Sequence, residues 1–272
     1  MNANILLAGV GGQGILSIAF VIDNAALEAG LRFKQAEVHG MAQRGGAVQS
    51  HLRLSDTEVH SDLVPEKRAD IVLSVEPLEA LRYTHYLSDS GVTVTSLTPF
   101  VNISSYPEID WVYDRLLALP RLVAVDAAAL AREAGTPRAQ NMVVLGAGAD
   151  YLPLAPESLE RYVRQLFARK GEKIVDQNLA AFRAGRAVGQ YHTALLESGL
   201  SPEDALSLMR RASGRDIVLD SAPIWREAFT GPRAASLRAR LQEIDPKTLL
   251  RLNDETATLA RERGSVLNDG GE

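Results

Sequence analysis

The pattern of apolar and polar residues predicts strands and helices that alternate along the first half of the chain. Four short apolar runs, each stopped by a glycine or a polar residue, are typical of buried strands and lie at residues 4–8, 69–75, 91–95 and 121–125. Two more strands are predicted at 32–38 and 47–54, and in the second of them the apolar residues Val48, Leu52 and Leu54 follow a period of two. The segments 14–29, 76–87 and 126–134 carry the end signals of helices. This alternation predicts an α/β fold in three layers, α/β/α, of Rossmann-like type.

The second half of the chain is predicted to be helical. Candidate helices separated by proline or glycine lie at 141–151, 156–169 and 172–186, and further ones follow at 201–213, 233–243 and 245–263. We therefore divide the chain into an α/β domain, residues 1–190, and a helical C-terminal extension, residues 191–272. The extension has too few apolar residues for a core of its own. We expect its helices to dock on the α/β domain or on another chain.

Two glycine-rich loops are the main candidates for a ligand site. The first follows the first predicted strand and contains Gly9, Gly11, Gly12, Gln13 and Gly14. Its G-x-G-x-x-G spacing permits a tight turn and presents free helix amides to an anion. The second follows the next strand and contains His39, Gln43, Arg44, Gly45 and Gly46. Because loops that leave the strands of an α/β sheet lie at its carboxyl edge, where ligands bind, we expect both loops to line one crevice.

The individual loop residues each have a functional and a structural interpretation. Arg44 suits a carboxylate or phosphate bound through two parallel hydrogen bonds, or an acid that holds the loop. His39 is a proton donor or a structural histidine. The amides of Gln13 and Gln43 suit a cofactor tail or the backbone of a partner. Glu76, directly after a buried strand, is a further candidate at the same edge, or an acid that stabilises a helix N-terminus.

Composition excludes several classes of function. The formal net charge of −5 argues against a nucleic-acid binder or a protein of anionic membrane surfaces. No window approaches the ~18 apolar residues that span a bilayer, and no signal peptide is recognised, which favours a cytoplasmic location. The chain has no cysteine and therefore supplies no thiolate to zinc or to an iron–sulfur cluster. The histidines show no helical metal-binding spacing, so no metal site is predicted.

The chain also lacks a recognisable set of nucleophile, base and orienting group, so we assign it no catalytic residue. The chain thus has two loops suited to a ligand but no recognisable catalytic residues beside them. This combination indicates a subunit that completes an active site formed mostly by another chain.

Several ordered motifs resemble those of a known family. Besides the two loops, they are Ser61-Asp62-Leu63-Val64-Pro65, Ala69-Asp70, the segment from Ser74 to Ala80, Asn141-Met142 and Asn178-x-x-Ala181-Phe182-x-x-Gly185. Together they are similar to the gamma domain of the 2-oxoacid:ferredoxin oxidoreductases, and within that family to the beta subunits of indolepyruvate ferredoxin oxidoreductases. The resemblance covers about residues 3–190, and residues 191–272 have no counterpart in it.

The resemblance implies a subunit of a heteromeric enzyme, either a heterodimer or a higher hetero-oligomer. Thiamine diphosphate, Mg and the 4Fe–4S clusters would be held by a large alpha subunit, and this chain alone would bind none of them. The enzyme would decarboxylate indolepyruvate or another arylpyruvate oxidatively, reduce ferredoxin and release an aryl-acetyl-CoA. This chain would complete the active-site and coenzyme A region.

Two other interpretations stay open. A stand-alone NAD- or flavin-binding Rossmann-like protein would use Glu37, near the end of the second strand, to bind a ribose. That strand is, however, more polar than a central strand of such a sheet. A non-catalytic assembly subunit would use the two loops for contacts only.

Overall fold

The computed structural model describes residues 2–39, 46–101, 103–211, 217, 222–232 and 234–239. Within these ranges six strands form one mixed sheet: β1 (Asn2–Val10), β2 (Arg32–His39), β3 (Ala47–Ser55), β4 (Ala69–Ser74), β5 (Leu87–Ser96) and β6 (Leu122–Val125). Their order is β2-β3-β1-β4-β5-β6. The four strands β1, β4, β5 and β6 are parallel to one another, and β3 runs antiparallel to both β1 and β2. The strands expected from the apolar pattern are confirmed.

The position of β2 explains its composition. It is the last strand of the described sheet and pairs only with β3, through a register that begins at Arg32 opposite Ser55 and ends at His39 opposite Val48. Edge strands commonly carry charged residues, because these discourage pairing with further chains. The polarity that argued against a central strand therefore identifies an edge strand.

Helices cover both faces of the sheet and make the three expected layers. In chain order they are α1 (Ile15–Glu28), α2 (Pro77–Arg82), α3 (Ile109–Leu117), α4 (Ala127–Glu133), α5 (Gln140–Gly148), α6 (Pro156–Phe167), α7 (Glu172–Glu197), α8 (Pro202–Arg211), α9 (Ala222–Thr230) and α10 (Ala234–Ala239). One face packs against α1, α5, α6 and α7 in the main core. On the opposite face a second cluster joins α2, α3 and α8. Among the described helices none is long and apolar enough to cross a membrane.

The predicted and observed helices differ in four main respects. The helix predicted over 76–87 ends at Arg82, and a 3-10 turn (Thr84–Tyr86) connects it to β5, which begins at Leu87. Helices α3 and α9 were not predicted at all. Helix α7 continues to Glu197 instead of ending near residue 186, because its glycines face α5 at a close crossing and do not end the helix. The division proposed between residues 190 and 191 thus falls inside a continuous helix.

The described part of the C-terminal extension is helical and packs on the α/β layers. Leu206 of α8 lies in one cluster with Val112 and Leu116 of α3. Phe229 of α9 is buried in the main core, and α9 packs on α7. The expected docking on the α/β domain is therefore seen for α8 and α9. The helix predicted at 245–263 lies outside the described residues.

Candidate functional site

The first glycine-rich loop and Gly46, the last residue of the second, meet at the carboxyl edge of the sheet. Val10 at the end of β1 pairs with Ala47 at the start of β3, so the connection from β2 to β3 emerges beside the turn from β1 to α1. The backbone N–H of Gly11 donates a hydrogen bond to the carbonyl of Gly46, with an N···O distance of 2.8 Å. The expected adjacency of the loops is thus confirmed at Gly46. Gln43, Arg44, Gly45 and the side chain of His39 lie outside what the structure describes.

Internal hydrogen bonds hold the first loop in shape. The side-chain oxygen of Gln13 accepts a hydrogen bond from the N–H of Val10 at 2.7 Å, while the N–H of Gln13 donates to the carbonyl of Val10 at 3.0 Å. The Gln13 amide oxygen is therefore used to close the turn, which favours its structural interpretation. Gly9 permits close packing here, since a β-carbon at this position would lie 2.8 Å from the Ile15 side chain.

One side of the first loop is open. Gly12 has φ +98°, a backbone conformation that glycine adopts without strain, and a β-carbon placed on it would contact nothing within 4 Å. Helix α1 begins after Gly14, and its first turn contains no acidic residue. The partial positive charge of a helix N-terminus is therefore not offset locally by a carboxylate, an arrangement that suits an anion.

Asn141, which the sequence analysis noted only as part of a family motif, supports this loop from behind. It is buried in the first turn of α5, and its Nδ2 donates a hydrogen bond to the carbonyl of Gly14 at 3.2 Å. A β-carbon on Gly14 would lie 2.5 Å from the same nitrogen. The spacing of 127 residues between the two positions hides the contact from any local sequence pattern. Asn141 is thus a positioning residue for the start of α1.

Glu76 lies at the same edge, as expected, and is fully engaged in hydrogen bonds. Its Oε2 caps α2 by accepting from the N–H of Glu79 at 2.8 Å. Its Oε1 accepts from the hydroxyl of Tyr106 at 2.5 Å and from the N–H of Phe100 at 3.3 Å. Burial and, next, the hydrogen bond to Glu76 raise the pKa of the Tyr106 hydroxyl far above its usual range. The structural interpretation of Glu76 is favoured, with the added role of anchoring the segment that follows β5.

That segment exposes apolar side chains at the carboxyl edge of the sheet. Phe100, Val101 and Ile103 are 45%, 71% and 38% exposed. They follow the carboxyl end of β5, which is parallel to β4 and through it to β1. Sequence reasoning did not single them out, because three exposed apolar residues in a connecting segment have no periodic signature. Apolar surface beside a candidate ligand edge is suited to contact with another protein.

A cavity of about 640 Å³ lies at the opposite edge of the sheet. Arg121, just before β6, and Arg226 of α9 are among its lining residues. Two ion pairs neutralise part of its lining: Arg226 with Glu197 at 2.5 Å and Arg186 with Asp150 at 2.9 Å. Within the described ranges no group of three or more His, Asp or Glu side chains is arranged to hold a metal ion.

Comparison with known proteins identifies relatives over most of the chain. The pyruvate ferredoxin/flavodoxin oxidoreductase family profile matches residues 4–188. The indolepyruvate oxidoreductase subunit IorB of Archaeoglobus fulgidus is 38% identical over 194 residues, which are 68% of this chain and 94% of that protein. The IorB subunit of Pyrococcus horikoshii is also 38% identical, over 67% of this chain and 93% of its own length.

Solved structures share the fold. A 2-oxoglutarate:ferredoxin oxidoreductase from Magnetococcus marinus, with 2-oxoglutarate, coenzyme A and succinyl-CoA bound, aligns with a TM-score of 0.56 at 19% identity, over 73% of this chain and 37% of that longer chain. The gamma subunit of a keto/oxoacid ferredoxin oxidoreductase from Geobacter sulfurreducens aligns with a TM-score of 0.52 at 23% identity, over 70% of this chain and 97% of that subunit. At these identities the likeness concerns the fold.

Proposed function

Because this chain belongs to the pyruvate ferredoxin/flavodoxin oxidoreductase family, we propose that it is the beta subunit of an indolepyruvate:ferredoxin oxidoreductase in the cytoplasm. Its glycine-loop edge completes the active-site and coenzyme A region of a large alpha subunit. The reaction converts an arylpyruvate, coenzyme A and two oxidised ferredoxins into an aryl-acetyl-CoA, CO₂, a proton and two reduced ferredoxins. The 38% identity to IorB subunits supports the choice of an aryl substrate.

The observation that carries this proposal is the junction of the two loops through Gly11 and Gly46. The start of α1, the open side of Gly12 and Gly46, the last residue of the loop that contains Arg44, lie together at one edge. Free helix amides and an arginine suit the phosphate groups of coenzyme A. In this proposal these residues bind and orient the acyl acceptor, and the exposed side chains of Phe100, Val101 and Ile103 contact the partner subunit at this edge.

The cofactors of the reaction belong to the partner in this proposal. Thiamine diphosphate with Mg provides carbon–carbon bond cleavage and the 4Fe–4S clusters carry electrons to ferredoxin, both in the alpha subunit. This chain contains no cysteine and supplies no thiolate ligand to a cluster. The residues of this chain bind and orient the acyl acceptor, and they exclude water from the site.

The strand order argues against a stand-alone dinucleotide-binding protein. In the usual dinucleotide site the acid that binds the ribose ends the parallel strand next to β1. Here the neighbour on that side is the antiparallel β3, and Glu37 is on the edge strand beyond it. Glu37 also accepts a hydrogen bond from Gln35 at 3.3 Å.

Reconstitution with the large subunit tests the proposal. The two chains should co-purify and reduce ferredoxin only when indolepyruvate and coenzyme A are both present. Turnover with other 2-oxo acids but not with indolepyruvate would overturn the substrate assignment. Micromolar NAD(H) binding by the isolated chain, measured by calorimetry, would favour the stand-alone nucleotide-binding alternative.

Arg44→Ala separates a ligand-binding loop from one used only in assembly. Losing a buried charge-assisted contact costs about 2 kcal/mol or more, roughly a 30-fold loss in activity or coenzyme A affinity. Arg115→Ala is the matched control, because Arg115 is an exposed arginine on α3. Unchanged turnover and coenzyme A dependence in Arg44→Ala would contradict the ligand-binding role and support a non-catalytic assembly subunit.

A further inference from the structure

A groove of about 620 Å³ runs between α1 and the edge strand β2. Three of the apolar side chains that line it are exposed: Leu16 by 53%, Phe20 by 37% and Leu27 by 59%. Their spacing along α1 places them on one face of that helix. Phe33 of β2 forms part of the opposite wall. An apolar strip of this kind on one helix face is typical of a protein-contact surface.

An unsatisfied carboxyl group lies among these apolar side chains. Asp23 follows Phe20 by less than one helical turn, lines the groove and is only 8% exposed. Its Oδ1 is buried and has no hydrogen-bond partner among the described residues. Desolvation by burial, and then the charge of Glu37 on β2, raise the pKa of Asp23 to about 7. Leaving a buried carboxyl oxygen unpaired is costly, which points to a partner that is supplied from outside.

The charge of the groove determines what that partner must offer. Both charged side chains in its described lining, Asp23 and Glu37, are acidic. A cationic side chain placed between them would pair with two carboxylates, and its apolar neighbours would cover Leu16, Phe20 and Leu27. Such a charge-assisted contact in a desolvated groove is both stronger and more selective than one at the surface.

We propose that this groove receives a segment of the large partner subunit that inserts a lysine or arginine between Asp23 and Glu37 and packs apolar side chains on the exposed face of α1. This inference rests on the proposed function, which supplies the large subunit. The end of the groove that is lined by Leu16 and Glu37 is the end nearest the glycine-loop edge, since α1 begins after Gly14 and β2 ends at His39. A subunit seated on that edge therefore lies next to this end of the groove.

A second copy of this chain is a poorer occupant. Antiparallel pairing of two β2 edges about a twofold axis would bring the acidic centres of the two grooves together. Like charges facing each other across an interface disfavour association. The acidic groove therefore selects a cationic partner over itself.

Two variants test the groove in the reconstituted complex. Asp23→Asn keeps the shape of the side chain and removes its charge. Leu27→Lys places a cation where the partner's lysine or arginine and its apolar side chains would bind. The controls are Asp110→Asn and Trp111→Lys, an Asp→Asn change and an apolar-to-lysine change at exposed residues of α3 on the opposite face of the sheet. Calorimetry with the purified large subunit gives the dissociation constant, and thermal melting of each chain alone reports folding.

We expect both groove variants to weaken binding by about tenfold or more and both controls to stay within about threefold of wild type. Groove variants that bind within threefold of wild type would overturn the inference while the proposed function stands. A change in self-association without a change in binding to the large subunit would assign the groove to a second copy and would also overturn it. If the wild-type chain itself fails to bind the large subunit, the proposed function fails and the inference fails with it.

Discussion

Gly14 and Gly30 share a backbone conformation but differ in what surrounds them. Both have positive φ, +80° and +74°, and both flank α1. Alanine in this conformation costs about 1–2 kcal/mol at either site. At Gly30 the new carbon would contact nothing within 4 Å, whereas at Gly14 it would lie 2.5 Å from Asn141 Nδ2.

We therefore predict that Gly14→Ala lowers the free energy of unfolding by about 1 kcal/mol more than Gly30→Ala, because Asn141 must move and its hydrogen bond to the Gly14 carbonyl is lost. Urea unfolding of the two variants measures the difference. Equal losses would show that Asn141 does not constrain the start of α1.

At the scale of single residues, the sequence predicted which polar residues lie at the site better than it predicted where their side chains point. It identified Gln13 and Glu76 as polar groups at the carboxyl edge, and both are there. It did not reveal that Gln13 turns back onto Val10, or that Glu76 is held by Tyr106, 30 residues away. Side-chain direction depends on tertiary neighbours, which a local pattern does not contain.

At the scale of elements, glycines set how closely α5 and α7 approach. A β-carbon on Gly146 of α5 would collide with the backbone carbonyl of Phe182 in α7, and one on Gly185 of α7 would collide with the carbonyl of Val143. These contacts involve backbone atoms that cannot rotate away. Gly148 is different, since the nearest atom to its added carbon is Cδ1 of Leu73, at 2.7 Å, at the end of a flexible side chain.

We predict that Gly146→Ala destabilises the chain by about 3 kcal/mol, because the two helices must separate. Gly148→Ala should cost much less, because Leu73 can adjust and alanine gains about 1 kcal/mol of helix propensity over glycine. Thermal unfolding of both variants provides the comparison. Similar losses in the two variants would mean that the helix crossing tolerates expansion.

Two features that the sequence analysis missed, helix α3 and the strand order, have physical explanations. Helix α3 lies between Pro107 and Pro120, in a segment to which the sequence analysis assigned no element. Its apolar face, with Val112 and Leu116 buried, becomes stable by packing on α2 and α8. In the sheet, the apolar pattern specified the strands but not that β3 inserts antiparallel between β1 and β2. Strand order is a tertiary property, and the polar composition of β2 was the one local feature of the sequence that indicated its edge position.

At the scale of the whole molecule, two buried groups give stability opposite dependences on pH. His192 is 1% exposed, and burial lowers its pKa from 6.5 to about 4, against a smaller opposing effect of a hydrogen bond with the Leu122 backbone. The unfolded chain therefore binds this proton more readily, and stability falls as the pH drops from about 6.5 towards 4. Asp23 has a pKa raised from 3.8 to about 7, so the unfolded chain loses that proton first, and stability falls as the pH rises from about 4 to 7.

We predict that substitution isolates each contribution. Asp23→Asn should remove the loss of stability that occurs between about pH 5 and pH 7. His192→Gln should remove most of the loss of stability that occurs below about pH 6; for the full shift in the pKa of His192 this loss is roughly 3 kcal/mol. Urea unfolding at closely spaced pH values measures the slopes, and Asp110→Asn, at an exposed carboxylate, serves as the control. If Asp23→Asn keeps the wild-type slope, Asp23 is already ionised in the folded chain. Its groove would then hold a full negative charge before any partner arrives, and docking would proceed without release of a proton.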